Sequence, residues 1–145
     1  MVLNVDLRGA KIPFIGYIAV HYWFVIIDDK QERWEIWQSQ NLVSSSWGHL
    51  HKNLMGVTRG VGNGDSWLEK QWQGEEAQKL IRIIRSSPFN YPYNYLYRYY
   101  PGPNSNTYVQ WILDEGKINY PLSWRGWGKY YDRRRQKQRK LREKN

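Results

Sequence analysis

The chain has 145 residues and a formal charge of +9, with nine Trp, twelve Tyr and no Cys. That length suits one ordinary domain with a real core. The missing cysteines exclude disulfides, thiolate zinc sites and a cysteine nucleophile together, so any covalent chemistry must use another residue. The charge is uneven: residues 129–145 carry nine Lys or Arg against two acidic residues, +7 of the total, which leaves +2 for residues 1–128. One domain over 1–128 and a basic extension over 129–145 are therefore expected. No secretory signal pattern opens the chain, and its longest nearly apolar run, 13–27, is shorter than the roughly 20 residues a spanning helix needs. The expectation is a cytoplasmic protein with no transmembrane segment, peripheral to a membrane if the extension engages one.

In chain order, residues 1–12 alternate loosely and fit a short strand before Pro13. Residues 14–27 are rich in aromatic and β-branched types and read as one long or interrupted strand, with Gly16 marking a bulge or bend. A polar turn over 28–31 and a second strand over 33–38 complete a β-hairpin. A turn centred between Asp29 and Lys30 sets Gln38 opposite His21; one centred on Lys30 sets Trp37 against Trp23 and Glu35 against Val25. Residues 41–65 are loop-like but long for a structureless loop, so they hide short elements or cover a site. Their glycines do not form a phosphate loop, because no Gly-Lys-Ser/Thr follows. His49 and His51, two apart with no third ligand, read as solvated loop imidazoles, and neither metal nor cofactor is expected.

Residues 75–85 are the clearest helix: Ala77, Leu80, Ile81 and Ile84 make an apolar stripe, Glu75 and Glu76 suit its start, and Ser86, Ser87 and Pro88 stop it. Tyr91, Tyr93, Tyr95, Tyr97 and Tyr99 alternate, which predicts an extended segment with one aromatic face. Pro101, Gly102 and Pro103 then stiffen the chain before Asn104 or Ser105, either of which can cap a helix. Ser105, Tyr108, Val109 and Ile112 fall at i, i+3, i+4 and i+7, so the serine shares the apolar face. Gly116 is a plausible stop, and beyond Tyr131 a flexible or helical basic extension follows. The fold class is α+β, an antiparallel sheet packed against helices.

Three runs carry a likeness: His21-Tyr-Trp-Phe-Val-Ile, Arg33-Trp-Glu-Ile-Trp and Pro101-Gly-Pro-Asn-Ser-Asn-Thr-Tyr-Val. They resemble the uncharacterised bacterial family called domain of unknown function 3750, over roughly residues 14–113. More distantly, their order is similar to the circularly permuted papain-like hydrolases of the NlpC/LRAT type, which include lecithin retinol acyltransferase and bacterial cell-wall peptidases. In those proteins a histidine near the start of a strand precedes an Asn-Cys pair at the N-terminus of a later helix. His21 matches the histidine, and Asn104-Ser105 stand at Asn-Cys with serine in place of the thiol.

That resemblance implies a permuted papain-like architecture and a serine-type hydrolase or acyltransferase acting on an acyl, amide or ester bond. Ser105 would be the nucleophile and His21 the base, with Gln38 or Glu35 orienting the imidazole. A hydroxyl hardly ionises near neutral pH, so it needs a base and an oxyanion hole. Backbone N–H groups at the helix start, with Asn104 or Asn106, would serve the oxyanion, and Trp37, Trp47 and Tyr97 would line the substrate cleft. The alternative is a non-catalytic module of the same fold that holds a small-molecule, lipid or peptide ligand, with Ser105 as a helix cap. In the extension, Arg133, Arg134, Arg135, Lys137, Arg139 and Lys140 would meet an anionic membrane or nucleic acid, unless the segment only solubilises.

Overall fold

A computed structural model describes residues 3–13 and 19–144. An open six-stranded antiparallel sheet is formed by β1 (Asn4–Lys11), β2 (Val20–Ile27), β3 (Gln31–Ile36), β4 (Ser46–Trp47), β5 (Leu50–Lys52) and β6 (Trp67–Gln73), in the order β4-β5-β3-β2-β1-β6. Among the described residues three α-helices complete the α+β fold: α1 (Gly74–Asn90), α2 (Ser105–Glu115) and α3 (Tyr131–Glu143). The first strand thus lies inside the sheet, between β2 and the edge strand β6. The expected bulge at Gly16 lies outside the described residues.

Period-two alternation divides the sheet into two faces. Val5, Leu7, Val20, Tyr22, Phe24, Ile26, Trp34 and Ile36 point to the main core, where Leu80, Ile84, Tyr108 and Ile112 of α1 and α2 meet them. The other face carries Ala10, Trp23 and Val25 in a smaller cluster closed by Val57 and Val61 from the segment between β5 and β6. Helix α2 is buried all along Ser105–Leu113, so it is a core helix with no solvated stripe.

The hairpin takes neither expected register. Val25 pairs with Arg33 and Ile27 with Gln31, which centres the turn on Asp29. The cause is local: the Asp28 carboxylate accepts from the Lys30 N–H, and the Asp28 N–H donates to the Lys30 carbonyl, closing a three-residue turn. Continuing that register sets Glu35 opposite Trp23 and Trp37 opposite His21, all on the face of the smaller cluster.

Three further expectations are corrected. Helix α1 runs through Pro88 to Asn90, because the Ser87 hydroxyl donates to the Ile84 carbonyl (2.6 Å) and so replaces the N–H that Pro88 lacks. The alternating tyrosines form turn and coil rather than an aromatic face: Tyr91 is buried against Tyr108 and Trp111, while Tyr95 is exposed. His49 and His51 are buried beside β3, not solvated. The His49 Nδ1–H donates to the Trp37 carbonyl (2.9 Å), and the His51 Nε2–H donates to the Ser39 carbonyl (2.9 Å).

The extension forms α3, whose base is tied to the domain. Asp132 is buried and accepts from the Tyr93 hydroxyl (2.7 Å) and from Gln136 (2.7 Å), and Arg133 grips Asp114 with two hydrogen bonds (2.9 and 2.7 Å). From Arg133 outward the helix is exposed. Among the described residues no helix is long and apolar enough to cross a membrane.

Candidate active site

One cavity of about 230 Å³ opens where the N-terminus of α2 meets the edge of the smaller face. Its walls include His21, Trp37, Gln38, Tyr97, Tyr99, Asn104, Ser105, Asn106 and Trp127. Strand β2 delivers His21, the segment after β3 delivers Trp37 and Gln38, and the start of α2 delivers the polar trio. Residues 84 positions apart in the chain are therefore brought to one void. Burial pushes the Tyr97 and Tyr99 phenols up, so both remain neutral hydroxyls.

Asn104, not Ser105, caps α2. Its side-chain oxygen accepts from the Asn106 N–H (3.0 Å) and the Thr107 N–H (3.3 Å), and Thr107 Oγ1 accepts from the Asn104 N–H (3.0 Å), making a capping box. The Asn104 Nδ2 donates to the Tyr99 carbonyl (2.7 Å). Asn106 is equally committed: it accepts from the Tyr22 N–H (3.1 Å) and donates to the Val20 (2.8 Å) and Trp127 (3.0 Å) carbonyls. Those bonds clamp β2 to α2. Both side-chain amides expected at an oxyanion are therefore occupied by the fold.

Ser105 occupies the first helical position and is 8% exposed. Among the described residues no side chain or carbonyl hydrogen-bonds its hydroxyl. Its backbone N–H, one of the first four of the helix, has no intrahelical acceptor. The reading of Ser105 as a cap falls with this geometry.

Behind the imidazole lies Glu35, not Gln38. His21 Nε2 is 2.9 Å from Glu35 Oε1, with both side chains buried. Arg33 grips the same carboxylate through Nε to Oε2 (2.6 Å) and NH2 to Oε1 (2.9 Å). Burial works to raise the Glu35 carboxyl, but hydrogen bonds and charges from His21 and Arg33 more than offset it and hold the group below the usual carboxylate range. An ionised Glu35 only accepts, so the proton facing it sits on Nε2, which in the neutral tautomer places the lone pair on Nδ1. The ring is held further by Trp23, stacked at 5.4 Å, and by Trp37, edge-on at 5.3 Å.

Arg33, which the sequence marks only as a strand residue, organises this cluster. Its guanidinium is fully buried, lies 3.9 Å over the Trp23 ring, and donates through NH1 to the Gly56 (2.8 Å) and Arg59 (2.5 Å) carbonyls. It thereby ties the segment covering the smaller face to the carboxylate behind His21. The signal was present in the sequence: Arg33 and Glu35, two apart in a strand, share one face.

Of the other expected residues, Trp37 and Tyr97 line the cavity, and Gln38 sits exposed at its rim. Trp47 lies elsewhere, stacked on Trp34 with ring centres 5.7 Å apart. A hydrogen-bonded serine–histidine pair lies elsewhere: the half-buried Ser46 hydroxyl donates to His51 Nδ1 (2.7 Å). Burial depresses the His51 imidazole below its ordinary value, a trend the Ser39 carbonyl and Glu35 oppose. Neither Ser46 nor His51 borders the cavity. Among the described residues, no three His, Asp or Glu side chains converge to hold a metal.

An α+β domain with an open antiparallel sheet and an aromatic-walled cavity at the start of a buried helix is the class of protein these features define. The chain belongs to the family described as protein of unknown function DUF3750, whose model matches residues 3–131. That match spans more of the chain than the motifs marked out and ends where α3 begins. No curated protein and no solved structure matches the chain.

Proposed function

We propose that the cavity is the active site of a serine-type hydrolase or acyltransferase acting on an acyl, amide or ester bond, in a permuted papain-like arrangement. The observation that carries this reading is a histidine fixed through Nε2 by a buried carboxylate and a helix-start serine that line the same cavity. The Ser105 oxygen attacks the carbonyl carbon as its proton passes to His21 Nδ1, and the Ser105 N–H stabilises the oxyanion. Collapse expels the leaving group with the proton from His21 and leaves an acyl-serine. Water, or an acceptor hydroxyl or amine, then attacks that ester. His21 takes the incoming proton and returns it to Ser105. Glu35 stabilises each transient imidazolium and keeps the ring from turning.

Labelling with a fluorophosphonate probe tests this. The wild-type chain is expected to label, and Ser105→Ala and His21→Ala to abolish labelling with thermal stability retained. Absence of wild-type labelling across pH 6 to 9, or equal labelling of Ser105→Ala, overturns it.

The commitment of Asn104 and Asn106 favours a second reading, a non-catalytic module whose cavity holds a neutral ligand. Under it, a ligand that raises the melting temperature of wild type would stabilise Ser105→Ala equally and never be turned over.

A further inference from the structure

A second concavity lies beside the cavity, with Trp127 on both walls. It measures about 370 Å³ and is lined by Tyr100, Trp124, Lys129, Tyr130, Tyr131 and Arg134, among others, with no acidic side chain. Its aromatic walls are open: Tyr100 is 71% exposed, Trp124 66% and Tyr130 41%. Cations attend these rings. The Arg125 guanidinium lies 5.4 Å over Trp124, and Lys129 Nζ and the Arg133 guanidinium lie 4.7 and 5.3 Å over Tyr130. The cleft continues directly into α3, where Arg133 alone of the helix's cations forms an ion pair among the described residues.

We infer that this cleft and α3 together form a docking surface for single-stranded nucleic acid, with unpaired bases stacking on Trp124 and Tyr100 and phosphates meeting Arg134, Arg135, Arg139 and Lys140. Charge complementarity and ring exposure support it, and helix geometry separates it from a membrane surface. Successive positions of an α-helix point about 100° apart, so the cations from Arg134 to Lys140 project around most of α3. A helix lying on a bilayer needs an apolar face. Here the one exposed aliphatic side chain of α3, Leu141, sits between Lys140 and Arg142. Cations projecting in several directions suit a polyanion that wraps, and flat aromatic walls suit bases with free faces. A duplex keeps its bases stacked and offers these rings nothing.

Fluorescence anisotropy with the full chain and a labelled oligothymidylate of about 20 nucleotides tests this, with the corresponding duplex and vesicles containing anionic phosphatidylglycerol as competitors. Binding of the single strand is expected, weakening roughly a hundredfold or more between about 50 and about 500 mM salt, as release of counterions from several phosphates requires. Trp124→Ala with Tyr100→Ala is expected to weaken it about tenfold at fixed salt, the loss of stacking, with the salt slope kept. Arg139→Glu with Lys140→Glu is expected to flatten the slope. All four side chains are exposed, so unchanged thermal unfolding certifies the fold. Equal affinity for the duplex, indifference to loss of both rings, or vesicle binding without strand binding overturns the inference.

Discussion

Replacing Arg33 by Met is the sharpest test of how the site is built. The substitution roughly keeps the volume of the stem but removes four charge-assisted hydrogen bonds, two to Glu35 and two to the Gly56 and Arg59 carbonyls. It leaves Glu35 ionised or forces it to take up a proton, in a site with no exposure to water. Breaking a buried pair from one side costs about 3–5 kcal/mol. With an m-value near ~1.5 kcal/mol/M, that is a fall of about 2–3 M in the urea midpoint at unchanged slope, followed by tryptophan fluorescence and circular dichroism. Arg33→Met with Glu35→Met is expected to be more stable than Arg33→Met alone, because no charge is then stranded. A single-variant loss below about 1 kcal/mol, or strict additivity in the pair, would refute the view that Arg33 and Glu35 form one coupled unit.

Acid unfolding offers an independent check on the same cluster: Glu35 is held below the usual carboxylate range, so the unfolded chain takes up this proton first as pH falls. Its contribution is complete above the unfolded value of about 4.3 and is lost on acidification through the lower folded value, so wild type should lose stability below about pH 5 more steeply than Glu35→Gln. Asn104→Ala should cost about 1–2 kcal/mol in chemical denaturation, against less than about 0.5 for Ser105→Ala, since the cap is the asparagine. Gly128→Ala should destabilise the chain by more than about 1 kcal/mol and reduce Ser105 labelling, because Gly128 has φ +91° and a new Cβ would collide with the Asn104 side chain. In an NMR titration the His51 imidazole should stay neutral to a lower pH than a free histidine, with its midpoint below about 6.5.

The sequence pattern exposed those parts of the fold that rest on local periodicity. The stripe on α1 repeats at helical spacing, polar residues after Pro103 mark the start of α2, and aromatic and β-branched content marks the first strand of the hairpin. Where a side chain decides, the pattern fell silent. The Asp28 carboxylate sets the hairpin register, the Ser87 hydroxyl lets α1 pass through Pro88, and the Thr107 hydroxyl completes the box that makes Asn104 the cap. The burial of His49 and His51 leaves no trace in the pattern because β5 is three residues long, too short to show alternation, and it and the preceding His49 are held by contacts with β3 and Trp37 from elsewhere in the chain. In the site, His21, Glu35 and Ser105 were visible as residue types at suggestive positions. The choice between Glu35 and Gln38 needed the register, and Arg33 needed the covering segment whose carbonyls it binds.

The contrast between the bonded Ser46 and His51 and the cavity-lining Ser105 and His21 shows why hydrogen-bond contact alone is a poor guide to chemistry. Ser46 and His51 are in direct contact, yet Ser46 also accepts from the Val43 N–H (3.1 Å) and His51 is spent on both nitrogens. The Ser46 hydroxyl and both His51 nitrogens are thus satisfied within the protein, and neither residue borders the cavity. Among the described residues His21 has a partner on one nitrogen only, and a buried carboxylate backed by an arginine guarantees which one. Among the described residues neither the hydroxyl nor the N–H of Ser105 has a partner, at a helix start whose other early donors are already consumed by Asn104. A fold that needed only stability would close those groups as it closes Ser46 and His51. Leaving them open onto a neutral, aromatic-walled cavity is the physical asymmetry on which the catalytic reading rests.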